Sequence, residues 1–308
     1  MNYKLLNLTV SVLAALIISP LFAGIIVKTK ALFAGRKGQS FFQIYFNLFK
    51  LFKKQVVYSK TTTVIFKIAP AIIFVLTLSS TIFIPVIPVD IEPLFSGDMI
   101  LMIYLLGLAR LFLILSSLDT GSSFEGMGAS REAFYSALIE PVIFIVLISI
   151  MKFFSTTSIA QALFHNTSPD SVLLIFAGIP LFIVILVENS RIPFDDPETH
   201  LELTMIHEVM ILDNSGPSLG LMEYASYIKL WFFSLILTSL LVPTMPDYGI
   251  AVQLAVSAAV IAFIAVLIGI VESVFARVSL IKIPQFIITA GVIALMGFFF
   301  SATRVLVW

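Results

Sequence analysis

The stretch SVLLIFAGIPLFIVILVENSRIPFDDPETHLELTMIHEVMILDNSG, residues 171–216, joins an apolar run ending at Glu188 to a segment dense in acids. From Glu188 to Asp213 it holds seven of the chain's eighteen acids against one cation, Arg191. The first half is long enough to cross a bilayer, whose hydrocarbon layer of roughly 30 Å takes about twenty residues. The second half must stay at an aqueous face.

Working outward, the whole 308-residue chain repeats the apolar pattern, with 59% hydrophobic residues, 12% charged residues and a mean hydropathy of +1.09. A soluble domain carries about a quarter charged residues. The chain therefore reads as an all-α polytopic membrane protein. Apolar runs fall near 5–27, 64–88, 99–118, 132–151, 171–188, 222–243, 250–271 and 284–303, which makes eight spans. No internal repeat separates them, so residues 1–308 are expected to form a single integral membrane domain with an acidic loop at 189–221. The first run lacks a small-x-small cleavage site and continues into Lys28-Thr29-Lys30, so it reads as a retained span rather than a signal peptide.

Lysine and arginine set the orientation, because cationic loops stay in the cytoplasm. The connections 28–67, 119–131, 189–229 and 272–284 hold fourteen of the eighteen cations. The acidic loop is accordingly expected on the cytoplasmic side of a prokaryotic inner membrane, with both termini outside. In the first of these connections, QSFFQIYFNLFKLFKK spaces Gln43, Asn47, Lys50 and Lys54 at helical intervals among phenylalanines and leucines. That pattern predicts an amphipathic helix lying on the bilayer surface, as a connector or as a rim where a lipid-soluble molecule or partner docks.

Several short matches to catalytic motifs do not fit their chemistry. His207-Glu208 lacks the second histidine of a zinc-protease helix, since Ile211 stands there. Asp119-Thr120-Gly121 occurs once, whereas aspartic proteases need two carboxylates sharing a proton. With no cysteine, the chain supplies no thiolate for zinc or iron–sulfur clusters. No catalytic residue, metal site or nucleic-acid partner is expected.

Acids within or at the ends of spans carry more information, because a charge at the bilayer centre costs about 2.5–3.5 kcal/mol even on the lenient insertion scale. Glu140 lies in the fourth span, eight residues after Glu132 and on nearly the same helix face. Glu188 ends the fifth span, Glu223 opens the sixth and Glu272 ends the seventh. Arg110, inside the third span, needs a counter-charge, for which Glu140 and Glu132 are candidates. In the acidic loop, Asp196-Pro197 is a helix start signal and predicts a helix over 197–212. On it Glu198 and Glu202 would share one face, with His200 and His207 opposite.

These residues resemble the membrane subunit that joins the peripheral and membrane arms of respiratory complex I and of related membrane-bound hydrogenases. Its complex I form carries E-x-N-R-x-P-F-D, then E-x-x-x-E-L, then E-Y-x-G. Here the corresponding residues are Glu188, Asn189, Ser190, Arg191, Pro193, Phe194 and Asp195, followed by Glu198, Glu202, Leu203 and Asp213-Asn214-Ser215-Gly216. Glu223-Tyr224 matches a Glu-Tyr opening the next span, and Gly128-Ala129-Ser130-Arg131 with Glu140 matches a Gly-x-x-Arg followed nine residues later by an intramembrane glutamate. DTGSSFEGMGASREA and the longer acidic loop look like the branch of hydrogenase-four component C and the formate hydrogenlyase membrane subunits.

The resemblance implies a non-catalytic membrane anchor and coupling subunit of an oxidoreductase complex, linking redox chemistry to proton or sodium translocation. It implies peripheral large and small hydrogenase-like subunits, which would hold a nickel–iron site and iron–sulfur clusters, and antiporter-like membrane subunits. The coupling path would use Glu132, Glu140, Glu188, Asp195, Glu198, Glu202, Glu208, Asp213 and Glu223, with Arg110, Arg131 and Arg191 as charge partners. A quinone stays open, but Ile26-Val27 and Asn47 stand where the complex I form has two acids. A stand-alone secondary transporter and a purely structural anchor are the alternative readings.

Overall fold

The computed structural model describes residues 3–87, 95–164, 170–195, 205–244 and 249–307. Eleven α-helices and no strand occur among them: α1 (Tyr3–Phe33), α2 (Gln43–Lys53), α3 (Val64–Ser80), α4 (Asp98–Asp119), α5 (Ser123–Phe153), α6 (Ile159–Leu163), α7 (Ser171–Glu188), α8 (His207–Met210), α9 (Gly216–Leu241), α10 (Ile250–Val274) and α11 (Ile283–Val307). Eight helices are long and apolar enough to cross a membrane. In lipid every backbone polar group needs an internal partner, and a helix supplies it within the segment.

Three spans differ in extent from the hydropathy reading. The second ends in a 3-10 turn at Thr81–Phe83, because Pro85 disfavours helical backbone at the residue before it. The fourth starts at Ser123, so α5 extends below its apolar part and carries Glu125 and Arg131. The sixth starts at Gly216, with Pro217 in its first turn. This last helix is the central post: 72% of its most apolar stretch is buried, against 28–44% for the other spans.

The four connections that hold most of the cations lie on one face, tied by hydrogen bonds. Thr61 Oγ1 donates to the Thr120 carbonyl at 3.4 Å. Val57 N–H donates to Ser215 Oγ at 3.0 Å, and that hydroxyl returns a bond to the Val57 carbonyl at 3.3 Å. Val278 N–H donates to the Pro193 carbonyl at 2.8 Å. The Asp119 carboxylate accepts the N–H groups of Thr63 and Phe66, at 2.7 and 3.2 Å. It satisfies the open start of α3, a structural role.

Helix α2 lies on this face against α1 and α9. Ile44 and Leu48 are buried, while Phe46, Phe49 and Phe52 are exposed. The spacing matches a helix with one edge on protein and a phenylalanine row turned outward. A Cβ on Gly220 would stand 3.3 Å from the Leu51 Cβ, which shows how closely α9 approaches.

The expected helix over 197–212 is not continuous. Residues 196–204, with Glu198, His200 and Glu202, lie outside the described residues. Beyond them, Met205 and Ile206 are non-helical and only His207–Met210 forms a turn. The cause is Asp195, whose carboxylate accepts the N–H groups of Ile206 and His207 at 3.0 and 3.2 Å. Those bonds take the place of helical partners and set a new helix start there.

Candidate functional site

Four helices converge on Arg110, which is buried in the interior of α4. Its guanidinium hydrogen-bonds both oxygens of Glu188 at the end of α7 and also Glu140 on α5. Its Nε lies 3.3 Å from Glu132, two turns before Glu140 on α5. Lys229, from α9, approaches Glu188 at 3.6 Å. A buried charge is tolerable only when paired and hydrogen-bonded, and the planar five-donor fork of arginine can hold several carboxylates at once. Three carboxylates here face two cations. The centre is electrically balanced only when it holds one further proton.

Nearer the acidic face, the segment after α7 arranges a second set of charges. Asp195 is buried and, besides its two backbone donors, accepts Arg277 Nη2 at 2.9 Å. Arg191 reaches Glu272 at 3.4 Å, and Lys30 reaches the same carboxylate at 3.1 Å. Arg131 Nη1 donates to the Met205 carbonyl at 2.9 Å, fixing the turn that precedes α8. A cavity of ≈ 220 Å³ opens among these groups, lined by Arg191, Asp195, His207, Glu208, Glu223 and Tyr227, together with residues of α1 and α2.

Burial pushes the Glu208 carboxyl up to about 7, and the charges of Glu223 and Asp195 add to the shift against the pull of Arg191. The neighbouring imidazole of His207 is pushed down to about 3, first by burial and then by Lys229 and Arg191. At neutral pH the cavity therefore holds a half-protonated acid beside a neutral histidine.

Two smaller polar cavities continue inward. One of ≈ 40 Å³ lies among Arg110, Glu132, His207 and Lys229. The other, of ≈ 20 Å³, lies among Glu132, Glu188, Ser190 and Asp195. Both exceed the roughly 10–15 Å³ that one water needs, and both have polar walls. His207 borders the mouth cavity and the first of these, Asp195 borders the mouth cavity and the second, and Glu132 borders both inner ones. Acid-lined space thus leads from the acidic face to the Arg110 centre.

Not every expected residue belongs to this array. Glu198 and Glu202 lie outside the described residues. Asp213 is exposed, and its backbone N–H donates to the buried Glu125 at 3.1 Å. Sequence reasoning counted Lys229 only as a loop cation, although a lysine inside the apolar run 222–243 carries the same insertion penalty as Arg110. It also passed over Arg277, and it considered His207 only as a zinc ligand. Among the described residues no group of three acids or histidines is arranged to hold a metal ion.

The mouth cavity can be tested against a quinone. Its ≈ 220 Å³ falls below the roughly 300 Å³ at the lower end of small-molecule sites, and such sites are mostly apolar. The charged lining present does not fit a quinone ring with its apolar tail.

Comparison with known proteins agrees with this geometry. Residues 6–302 match the family profile described as NADH dehydrogenase. Hydrogenase-4 component C of Escherichia coli K12 is 33% identical over 252 residues, covering 79% of this chain and 75% of that one. Formate hydrogenlyase subunit 4 of the same organism is 29% identical over 215 residues, 69% of each chain. The H subunit of the NADH-quinone oxidoreductase of Rickettsia bellii is 27% identical over 188 residues, covering 58% of this chain and 53% of that protein. In fold, the chain superposes on a chain of the membrane-bound sulfane sulfur reductase, an archaeal respiratory membrane complex. The TM-score is 0.82 at 21% identity, covering 97% of this chain and 99% of that one.

Proposed function

Because the chain belongs to the NADH dehydrogenase family, we propose that it is the membrane coupling subunit of a hydrogenase-like or complex I-like respiratory complex. The relatives named above are components of such complexes. The chain anchors peripheral large and small subunits that carry the nickel–iron site and iron–sulfur clusters. It passes the effect of their redox step to proton or sodium translocation in antiporter-like membrane subunits. The membrane is a prokaryotic cytoplasmic membrane, with the acidic face on the cytoplasmic side.

The observation that carries this reading is the acid-lined space joining the mouth to Arg110. When electrons move in a docked module, the field at the mouth changes, and Glu208 is poised to gain or lose a proton at neutral pH. Through His207 and Glu132 the change reaches the three carboxylates around Arg110. Glu140 then brings it to the flank of the bundle, since its side chain keeps 39% of its exposure there. Moving charge against the membrane potential costs about 2.3 kcal/mol per charge per 100 mV, so the coupling must be tight to be useful.

The test is the assembled complex in sealed proteoliposomes, together with a metal assay. Nickel should co-purify with the chain. Glu140→Gln, Glu188→Gln and Glu202→Gln should leave electron transfer to artificial acceptors near its normal rate while ion pumping falls several-fold. Normal pumping in all three would reduce the chain to an anchor whose charges do not matter.

A further inference from the structure

On the side of the bundle away from the acidic face, α1 and α10 separate. They are tightest near the acidic face, where a Cβ on Gly269 would stand 2.7 Å from the Thr29 Cβ and 3.1 Å from the Ile26 carbonyl oxygen. Toward the other end they diverge around a cavity of ≈ 530 Å³, walled by α1, α9 and α10. That volume lies within the roughly 300–1,000 Å³ range of small-molecule sites. It is larger than the mouth cavity and of opposite character, bordered by Phe22, Trp231, Ala258 and Ala262.

One polar side chain in its wall lacks a protein partner. Gln253 is 8% exposed and borders the cavity, and among the described residues its side-chain amide makes no hydrogen bond. Thr238 and Ser239, also in the wall, donate to carbonyls of their own helix at 2.8 and 2.9 Å. An unpaired amide buried in apolar surroundings costs free energy unless a partner arrives from outside.

Its depth identifies that partner. Gln253 lies one turn from the start of α10 and sixteen residues, about 24 Å, from Gly269 along the helix. It therefore sits at the level where glycerolipid ester carbonyls meet hydrocarbon. From there the cavity runs inward as far as Ala262, nine residues or about 14 Å farther. Ala258, on its wall, is exposed at the surface of the bundle, so the space opens sideways toward the bilayer. The geometry points to a binding site for one glycerolipid of the leaflet opposite the acidic face, with its ester carbonyl accepting a bond from the Gln253 amide and its acyl chain lying between α1, α9 and α10.

Trp231 provides the readout, because the chain has only two tryptophans. In the full-length chain with Trp308→Phe, reconstituted in phosphatidylcholine brominated on its acyl chains, Trp231 fluorescence should be strongly quenched although the residue is 3% exposed. Ala262→Phe, which fills the cavity, should remove most of the quenching while helical content by circular dichroism stays unchanged. Gln253→Leu keeps the shape, so it should still be quenched. It should lose the roughly two- to tenfold preference for ester- over ether-linked brominated lipid that one net hydrogen bond gives. Three results would overturn the proposal: an unquenched Trp231, equal quenching in Ala262→Phe, or an isoprenoid quinone extracted from the purified chain in place of phospholipid.

Discussion

At the scale of single residues, Glu208 and His207 are chain neighbours pushed in opposite senses, and the sign of each has a measurable result. Glu208 has an ordinary value of 4.5 and a folded value of about 7, so the folded chain keeps a proton that the unfolded chain has lost. Its contribution to stability is complete below pH 4.5 and is lost as pH rises through 7. His207 falls from 6.5 to about 3, so its contribution is complete above pH 6.5 and is lost as pH falls through 3. Between pH 4.5 and 6.5 the two slopes oppose one another. Replacing Glu208 with Gln removes one of them. The melting temperature of the variant, relative to the unsubstituted chain, should then climb with pH across that window. An identical pH profile for both would show that Glu208 titrates normally. Neither shift was legible in the sequence, because each comes from burial and from charges on other elements. The pairing of Arg110 with α5 was more accessible, since Glu132 and Glu140 share a helix face by spacing alone.

At the scale of elements, the apolar runs located every span because hydropathy is summed over many residues and tolerates local error. The loop helix was misread because Asp196-Pro197 is a local signal, while the decisive contact is Asp195 closing on backbone donors eleven and twelve residues ahead. The short turn α8 that results sits against α5 at Gly128. A Cβ on Gly128 would stand 2.3 Å from Val209 Cγ1 and 3.0 Å from the Ile206 carbonyl oxygen. Two residues earlier, a Cβ on Gly126 would meet nothing within 4 Å. Gly126→Ala should therefore be neutral or raise stability by about 0.5–1 kcal/mol through helix propensity. Gly128→Ala should lower the melting temperature and loosen attachment of the peripheral subunits. Thermal unfolding and co-purification of the two variants side by side would check this, and matching behaviour would mean that α8 does not rest on α5 as described.

At the scale of the whole molecule, the chain is asymmetric from one face to the other. The acidic face carries the network of charged side chains, and the opposite half is apolar apart from a few capped polar groups such as Asp98, which accepts the Ile159 N–H at 2.9 Å. Net neutrality conceals this division, which is why total composition indicated a membrane protein and only position along the chain indicated a site. On the acidic face, the paired hydrogen bonds between Val57 and Ser215 fasten the segment after α2 to the start of α9. The phenylalanine edge and the carboxylate mouth are thereby clasped into one rigid plate, and bilayer thinning or tension that tilts the edge must tilt the mouth as well. Since the native sequence has no sulfhydryl of its own, Val57→Cys with Ser215→Cys offers a reversible staple across the clasp. Pumping should survive its oxidation; arrest on oxidation and recovery on reduction would mean that the plate hinges there during turnover.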